Sequence, residues 1–380
     1  MNVSTIVLSF RATAILAFIL LWGLYALNGA LKENLLAPIR GSIGDTSLKN
    51  DYTGIFLIDY PLTVLVSFFW FGSNGSNGSF QLLVFEGYST LESAFVWLYV
   101  ESIRPGDKTW AIATPGFFAT LWQFAGGAIA LPLYYAYHIL WEDNFQVRRV
   151  QDENAARSLP FSFLLGAILP AIICLAPTWE GPESRSVEAH QTLLAVFQAN
   201  PIYVALIQAS LVYVFEMVYS RTRAGPGLPS RAAYQWIRGT YVIAAFCSTT
   251  AHVYTWLRVL ASTEESVTLM QMRVPFYAGG IHDGLSHVLA RGTLVYLQFD
   301  VLIFDLVSLA WAFTILSRLP NCPISKKTLL WLLFIGWVVI GAGGTVSLAL
   351  YMREGLLPEQ VKDGRQNPTF HKPDCISARS

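Results

Sequence analysis

Long, nearly uninterrupted apolar runs recur along this chain, and they leave few folds open. A bilayer core is about 30 Å thick and takes about 20 apolar residues per helix to cross. Inside it only helices or closed barrels satisfy every backbone polar group. These runs are too long and too continuously apolar for barrel strands. About eight or nine candidate spans can be drawn: Ala12–Leu27, Gly54–Gly72, Phe80–Val100, Phe117–Trp141, Phe161–Ala176, Pro201–Tyr219, Tyr241–Leu260, Leu294–Leu316 and Leu329–Tyr351. The second, third and eighth carry acids. Val274–Arg291 is amphiphilic and Gly-rich, and reads as a loop, a re-entrant piece or an interfacial helix. The expected fold is an all-α, polytopic transmembrane helical bundle.

Composition agrees. Hydrophobic residues make up 54% of the 380 and charged residues 13%, about half the usual globular share. Mean hydropathy is +0.45. That excludes a cytosolic enzyme, a disordered scaffold and a nucleic-acid binder. Lys+Arg and Asp+Glu balance at 25 each, so no basic field exists to attract phosphate. No soluble domain fits between the runs. Residues 1–351 read as one transmembrane domain and 352–380 as a polar, flexible tail. Ser220–Arg231 is a Gly- and Pro-rich linker. Residues 72–79 form a flexible connection with two N-glycosylation sequons, at Asn74 and Asn77, and Asn2 begins a third. Cys174, Cys247, Cys322 and Cys375 show neither zinc spacing nor a disulfide framework. Lys and Arg divide too evenly between alternate loops to orient the chain.

Ionisable groups inside a bilayer cost several kcal/mol unless paired or hydrated, so each is a functional candidate. Asp59 lies just inside the second run, beside Pro61. Glu86, Thr90, Ser93 and Trp97 share one helical face, which reads as a cavity lining or as polar glue between helices. Glu92 points away from that face. Asp300 and Asp305 lie about 140° apart on a helix, so one can line a cavity while the other meets Arg238 or Arg258. His252 stands on a stripe with Ser248, Thr249, Thr255 and Trp256. Gln123, Gly127, Tyr134, His138 and Trp141 form another, with a kink expected at Pro132. Asp59, Glu86, Asp300 and Asp305 are the candidate catalytic acids. Trp97, Trp122, Tyr134, Trp256 and His252 are candidate substrate-binding residues.

Missing motifs narrow the chemistry. There is no Asp-Asp-x-x-Asp for a diphosphate–magnesium site. Asp-x-Asp-Asp, a P-loop, Gly-x-Ser-x-Gly and His-Glu-x-x-His are also absent. No metal, nucleotide or redox cofactor is expected, and no obligate protein partner. Buried carboxyls and an abundance of aromatics, 24 Phe, 17 Tyr and 12 Trp, suit acid-initiated carbocation chemistry on a lipid-like substrate. A carboxylic acid would protonate an epoxide or alkene, and aromatic faces would stabilise the migrating charge. The same inventory suits a proton-coupled transporter of a hydrophobic small molecule, which should show an internal repeat; none is visible. A non-catalytic scaffold or receptor would not need acids in several spans.

The segments Asp59-Tyr-Pro-Leu, Phe85-Glu-Gly-Tyr, Trp122-Gln-Phe-Ala-Gly-Gly and Leu131-Pro-Leu-Tyr, with the length and span pattern, carry a resemblance over roughly residues 50–350. The chain resembles the fungal membrane-bound terpene cyclases of meroterpenoid biosynthesis, of the ascofuranone-cyclase type. The resemblance implies cyclisation of a farnesyl chain attached to a polyketide or aromatic head group, begun by protonating a terminal epoxide or, in some members, an alkene. It implies an integral, multi-pass protein of the endoplasmic reticulum. It carries over no catalytic signature, so the acids above rest on this sequence alone. A sterol-isomerase-like reaction uses nearly the same parts and stays open.

Overall fold

The computed structural model describes residues 2–144, 147–175, 181–219, 231–264, 267–275, 287–320 and 322–357. The expected linker at 220–230, most of the amphiphilic stretch 274–291 and the tail from 358 onward lie outside the described residues.

Helices dominate. In chain order they are α1 (Val3–Leu27), α2 (Ala30–Arg40), α3 (Phe56–Ser73), α4 (Gly78–Ser102), α5 (Trp110–Ala113), α6 (Pro115–Ala125), α7 (Gly127–Asn144), α8 (Glu153–Leu175), α9 (Val187–Phe197), α10 (Asn200–Tyr219), α11 (Arg231–Ala261), α12 (Leu269–Arg273), α13 (Val288–Ser317) and α14 (Lys326–Leu356). Single π turns widen α1 at Ile19–Gly23 and α8 at Leu164–Ile168. A two-residue antiparallel ladder, β1 (Ser42–Ile43) with β2 (Thr46–Ser47), is the one sheet among the described residues.

Six helices are long and apolar enough to cross a membrane: α1, α3, α8, α10, α13 and α14. That is fewer than the eight or nine spans drawn from sequence. The difference has physical causes. The run Phe117–Trp141 is two helices, because Gly126 adopts φ +100° between α6 and α7. Helices α4 and α11 have 25 and 31 residues, long enough to cross, but they are more polar. The C-terminal helix passes Met352 and ends at Leu356, with Arg353 and Glu354 fully buried.

The bundle is polar at its centre and apolar at its rim. Helix α4 carries Glu86, Glu92 and Glu101, yet all three are buried. It packs against α3, α6, α8, α11, α12, α13 and α14. Helix α10 sits at the opposite extreme. Its apolar side chains Ile202, Leu206, Val214, Met217 and Val218 are exposed, as a lipid-facing helix requires.

Two helices break in the interior, and other helices satisfy the breaks. At Gly126 the freed Ala125 carbonyl accepts from Trp22 Nε1 (3.0 Å) and from the Tyr296 hydroxyl (2.8 Å). The N–H groups that open α7, on Gly127 and Ala128, donate to Asp300 at 3.3 and 2.7 Å. Those amides sit at the positive end of the helix, where a carboxylate is favoured. In α14, Gly341 adopts φ 77°, ψ 167°. The Val338 carbonyl then faces His252 Nε2 at 3.1 Å, and Thr345 Oγ1 donates to the Gly341 carbonyl at 2.7 Å. Irregular backbone at membrane depth is tolerated only where protein or a cavity satisfies it.

The first break gives a sharp test. A Cβ on residue 126 would lie 2.8 Å from Leu21 Cδ2 and 2.9 Å from both Asp300 Oδ1 and the Tyr296 hydroxyl. Its φ also disfavours any L side chain. Gly126→Ala is therefore expected to cost about 1–3 kcal/mol from strain alone. It should show as a lower thermal midpoint in detergent, whereas Gly239→Ala, which meets nothing within 4 Å, should not.

Candidate active site

Most of the buried ionisable groups fall into three separate centres. The first joins α4, α11, α12, α13 and α14. Glu86 Oε1 pairs with Arg273 and lies 2.5 Å from His252 Nδ1. Arg273 Nη1 reaches Asp305 Oδ2 at 3.4 Å, and Trp337 Nε1 donates to the same oxygen at 3.2 Å. His252 Nε2 faces the Val338 carbonyl, so it donates there, and Nδ1 is the nitrogen turned to Glu86. Two acids thus face one guanidinium and one imidazole. Glu86 Oε2 and Asp305 Oδ1 have no partner among the described residues. The sequence pattern suggests Arg238 or Arg258 as the partner of one of Asp300 and Asp305; Asp305 meets Arg273 instead. Arg238 instead lies over the Tyr351 ring at 3.8 Å, and Arg258 Nη1 donates to the Tyr254 hydroxyl at 2.8 Å.

The second centre closes one end of the bundle. Glu101 accepts from Arg104 (2.9 Å) and Arg353 (2.8 Å), Glu354 takes the other end of Arg104 (2.7 Å), and Glu142 takes Arg353 (2.7 Å). Trp311 Nε1 donates to His138 Nδ1 at 3.2 Å, so the His138 proton sits on Nε2, which donates to Glu101 at 3.0 Å. This network is occupied by its own charges and has the character of a structural lock.

The third centre is different in kind. Glu92 from α4 and Asp300 from α13 line one cavity. Its walls are Phe69, Tyr88, Trp122, Phe197 and Phe304 with Leu91, Leu297 and Val301. Glu92 Oε1 accepts from Asn200 Nδ2 at 2.8 Å, and Asn200 Oδ1 accepts from Gln123 Nε2 at 2.8 Å. Glu92 Oε2 has no partner among the described residues. Asp300 differs: both its oxygens take backbone N–H groups from the start of α7. One carboxyl therefore has an oxygen free to carry and deliver a proton, while both oxygens of the other already accept N–H groups at a helix N-terminus. The cavity measures about 30 Å³, room for roughly one or two waters.

The sequence-derived candidates divide accordingly. Asp300 and Trp122 meet in the aromatic cavity. Glu86, Asp305 and His252 meet in the first centre, and Trp256 packs 5.9 Å from the His252 ring. Asp59 stands apart. Its Oδ1 accepts from the Thr53 N–H and hydroxyl at 2.9 and 2.8 Å, and its Oδ2 from the Gly54 N–H at 3.0 Å, so it organises the turn that opens α3. Trp97 donates to Ser347 at 2.9 Å, and Ser93 to the Ala244 carbonyl at 3.3 Å. Below Glu86, the α4 stripe is polar glue between helices. Tyr134 is fully buried against Phe118, Tyr135 and His138. Glu92 is not among the candidate acids read from the sequence, although it is the carboxyl that faces the aromatic walls. The available signal is Leu91-Glu92 lying off the Ser/Thr stripe of an otherwise buried helix. Asn77 Oδ1 caps α4 through the Phe80 N–H at 2.8 Å. Cys174, Cys247 and Cys322 are free thiols. Among the described residues, no three His, Cys, Asp or Glu side chains converge as metal ligands would.

Fold and centre together define a helical membrane protein that buries carboxyls against an aromatic wall. The comparisons then give the lineage: the chain belongs to the CtvD domain family, whose model matches residues 4–358. It is 26% identical to the terpene cyclase DEP1 of Fusarium langsethiae, covering 88% of this chain and 94% of that one. It is 28% identical to the terpene cyclase ctvD of Aspergillus terreus over 72% of this chain and 74% of that one. With the terpene cyclase ascI of Acremonium egyptiacum the identity is 24%, over 78% of each. No solved structure matches.

Proposed function

We propose that this chain is a multi-pass terpene cyclase of the endoplasmic reticulum membrane that cyclises a farnesylated meroterpenoid substrate without a cofactor. The observation that carries this reading is the aromatic cavity with its two unlike carboxyls. Glu92 Oε2 gives its proton to the oxygen of a terminal epoxide. The C–O bond breaks, and the carbon cation that forms is attacked in turn by the chain's double bonds. Each new C–C bond moves the positive charge along the chain, beside the faces of Tyr88, Trp122 and Phe304. The last cation loses a proton to Asp300, leaving an alkene. Atoms balance, so product and substrate have equal mass. An alkene start differs only in that the proton goes to carbon. The family relationship supports the same reading, since the relatives above are named terpene cyclases. It also weighs against the transporter.

The test is product analysis. Microsomes holding the protein are incubated with a farnesylated phenol, with and without its terminal epoxide. A cyclised product of unchanged mass, formed in the presence of a chelator and without nucleotide, is the expected result. Uptake of the compound into sealed vesicles without any conversion would restore the transporter.

A further inference from the structure

The acid cavity, at about 30 Å³, is far smaller than the roughly 300–1,000 Å³ that small-molecule sites occupy. A prenylated substrate must lie mostly elsewhere. A second hollow of about 450 Å³ opens between α3, α6, α9 and α10. Its walls are mainly apolar, with Leu62, Phe124, Ala195, Val196 and Ile202, and Lys49 and Tyr52 also line it. Gln123 lines both spaces. Half-buried between them, it donates to Asn200, which in turn donates to Glu92. The hydrogen-bonded pair Gln123–Asn200 therefore stands at the neck, with the candidate proton donor directly behind it.

We propose that this groove holds the bulk of the prenylated substrate, head group included, and that the Gln123–Asn200 pair is a gate whose opening merges the groove with the acid cavity. The proposal rests on the cyclase reading and adds to it where the substrate docks and what admits it. The chemistry fits. The groove is apolar, as an isoprenoid chain requires. Tyr52 offers an aromatic face to a hydroxylated ring, and Lys49, whose ammonium pairs with Glu188 at 3.0 Å, stands beside it. The gate is coupled to the acid, because moving Gln123 removes the donor that orients the Asn200 amide, the group that donates to Glu92 Oε1.

Two measurements test it on the full-length protein in nanodiscs. In the first, Val196→Cys is labelled with a membrane-permeant maleimide, and labelling at position 196 is read by peptide mass. Val196 is exposed in the groove. A farnesylated phenol should slow labelling at least fivefold, while exchanging the phospholipid of the disc should not. Protection by phospholipid alone would overturn the proposal and make the groove a lipid site. The second uses Gln123→Trp, which fills the neck between the two spaces. In the Val196→Cys background the ligand should still protect the introduced thiol, while turnover falls at least 100-fold. Undiminished turnover would mean the substrate does not pass Gln123. Should Gln123→Trp fail to accumulate, the protection result alone decides whether the groove is the docking site. The outcomes also separate the two claims. Protection in a protein that turns nothing over would sink the cyclase reading and leave a ligand groove. Turnover by the Val196→Cys protein without protection of its introduced thiol would leave the cyclase reading and remove the groove.

Discussion

Glu92→Gln should lose about 10²–10⁴-fold in kcat, the usual worth of a general acid, while the protein accumulates and folds normally. The substitution is close to isosteric. Its side-chain carbonyl can still accept from Asn200, so the chain of hydrogen bonds from Gln123 through Asn200 survives. What disappears is the proton on the other atom. Combined with Val196→Cys, it should retain substrate protection at position 196, which separates a chemical defect from a binding defect. Asp300→Asn should also reduce turnover, but with a structural component, because one of its two acceptors for the start of α7 becomes a donor. If Glu92→Gln cyclises at the parental rate while Glu86→Gln does not, the proton donor belongs to the centre around Arg273.

Arg353→Leu should be the most damaging change to folding. Arg353 is completely buried and bridges Glu101 and Glu142 at 2.8 and 2.7 Å. Without it, Glu142 loses its guanidinium partner, and Glu101 keeps only Arg104 and His138. Breaking a buried pair from one side typically costs about 3–5 kcal/mol, because a charge is left uncompensated. The protein should then aggregate or fail to leave detergent columns as a single species. Arg353→Lys should rescue only partly, since one ammonium cannot span two carboxylates as a guanidinium fork does. Parental stability in Arg353→Leu would show that the lock contributes nothing.

The helical membrane character was legible because a bilayer imposes length and apolarity on each span, and both are visible residue by residue. That one of Asp300 and Asp305 lines a cavity was legible, since an acid in an apolar helix needs a reason to be there; which of the two does so was not. The choice among the α4 acids was not. Glu86, Glu92 and Glu101 point in different directions on one helix, and nothing local says which neighbour each meets. The Ser/Thr stripe draws attention to the Glu86 face, yet Ser93 and Trp97 on it contact α11 and α14. Trp97 and Tyr134 look like cavity aromatics in sequence and are core in the fold. The lock joins Glu101 to Arg353, 252 positions away, a separation no local pattern encodes. The helix breaks were hidden for a related reason. Nothing in Gly126-Gly127 or Gly341-Ala342-Gly343-Gly344 announces a turn, and only the backbone angles at Gly126 and Gly341 show a change of direction.

A ribosome delivers α11 well before α14, and the break at Gly341 turns that order into a requirement. The Val338 carbonyl finds its partner in His252 of α11, and Glu86, already in place on α4, holds the other side of that imidazole. The last hydrophobic segment cannot enter the bilayer as a self-sufficient rod. Its middle finds its hydrogen-bond partner on an earlier segment, so that helix is completed by docking rather than by its own backbone. A chain stopped before residue 326 would leave His252 Nε2 without the Val338 carbonyl.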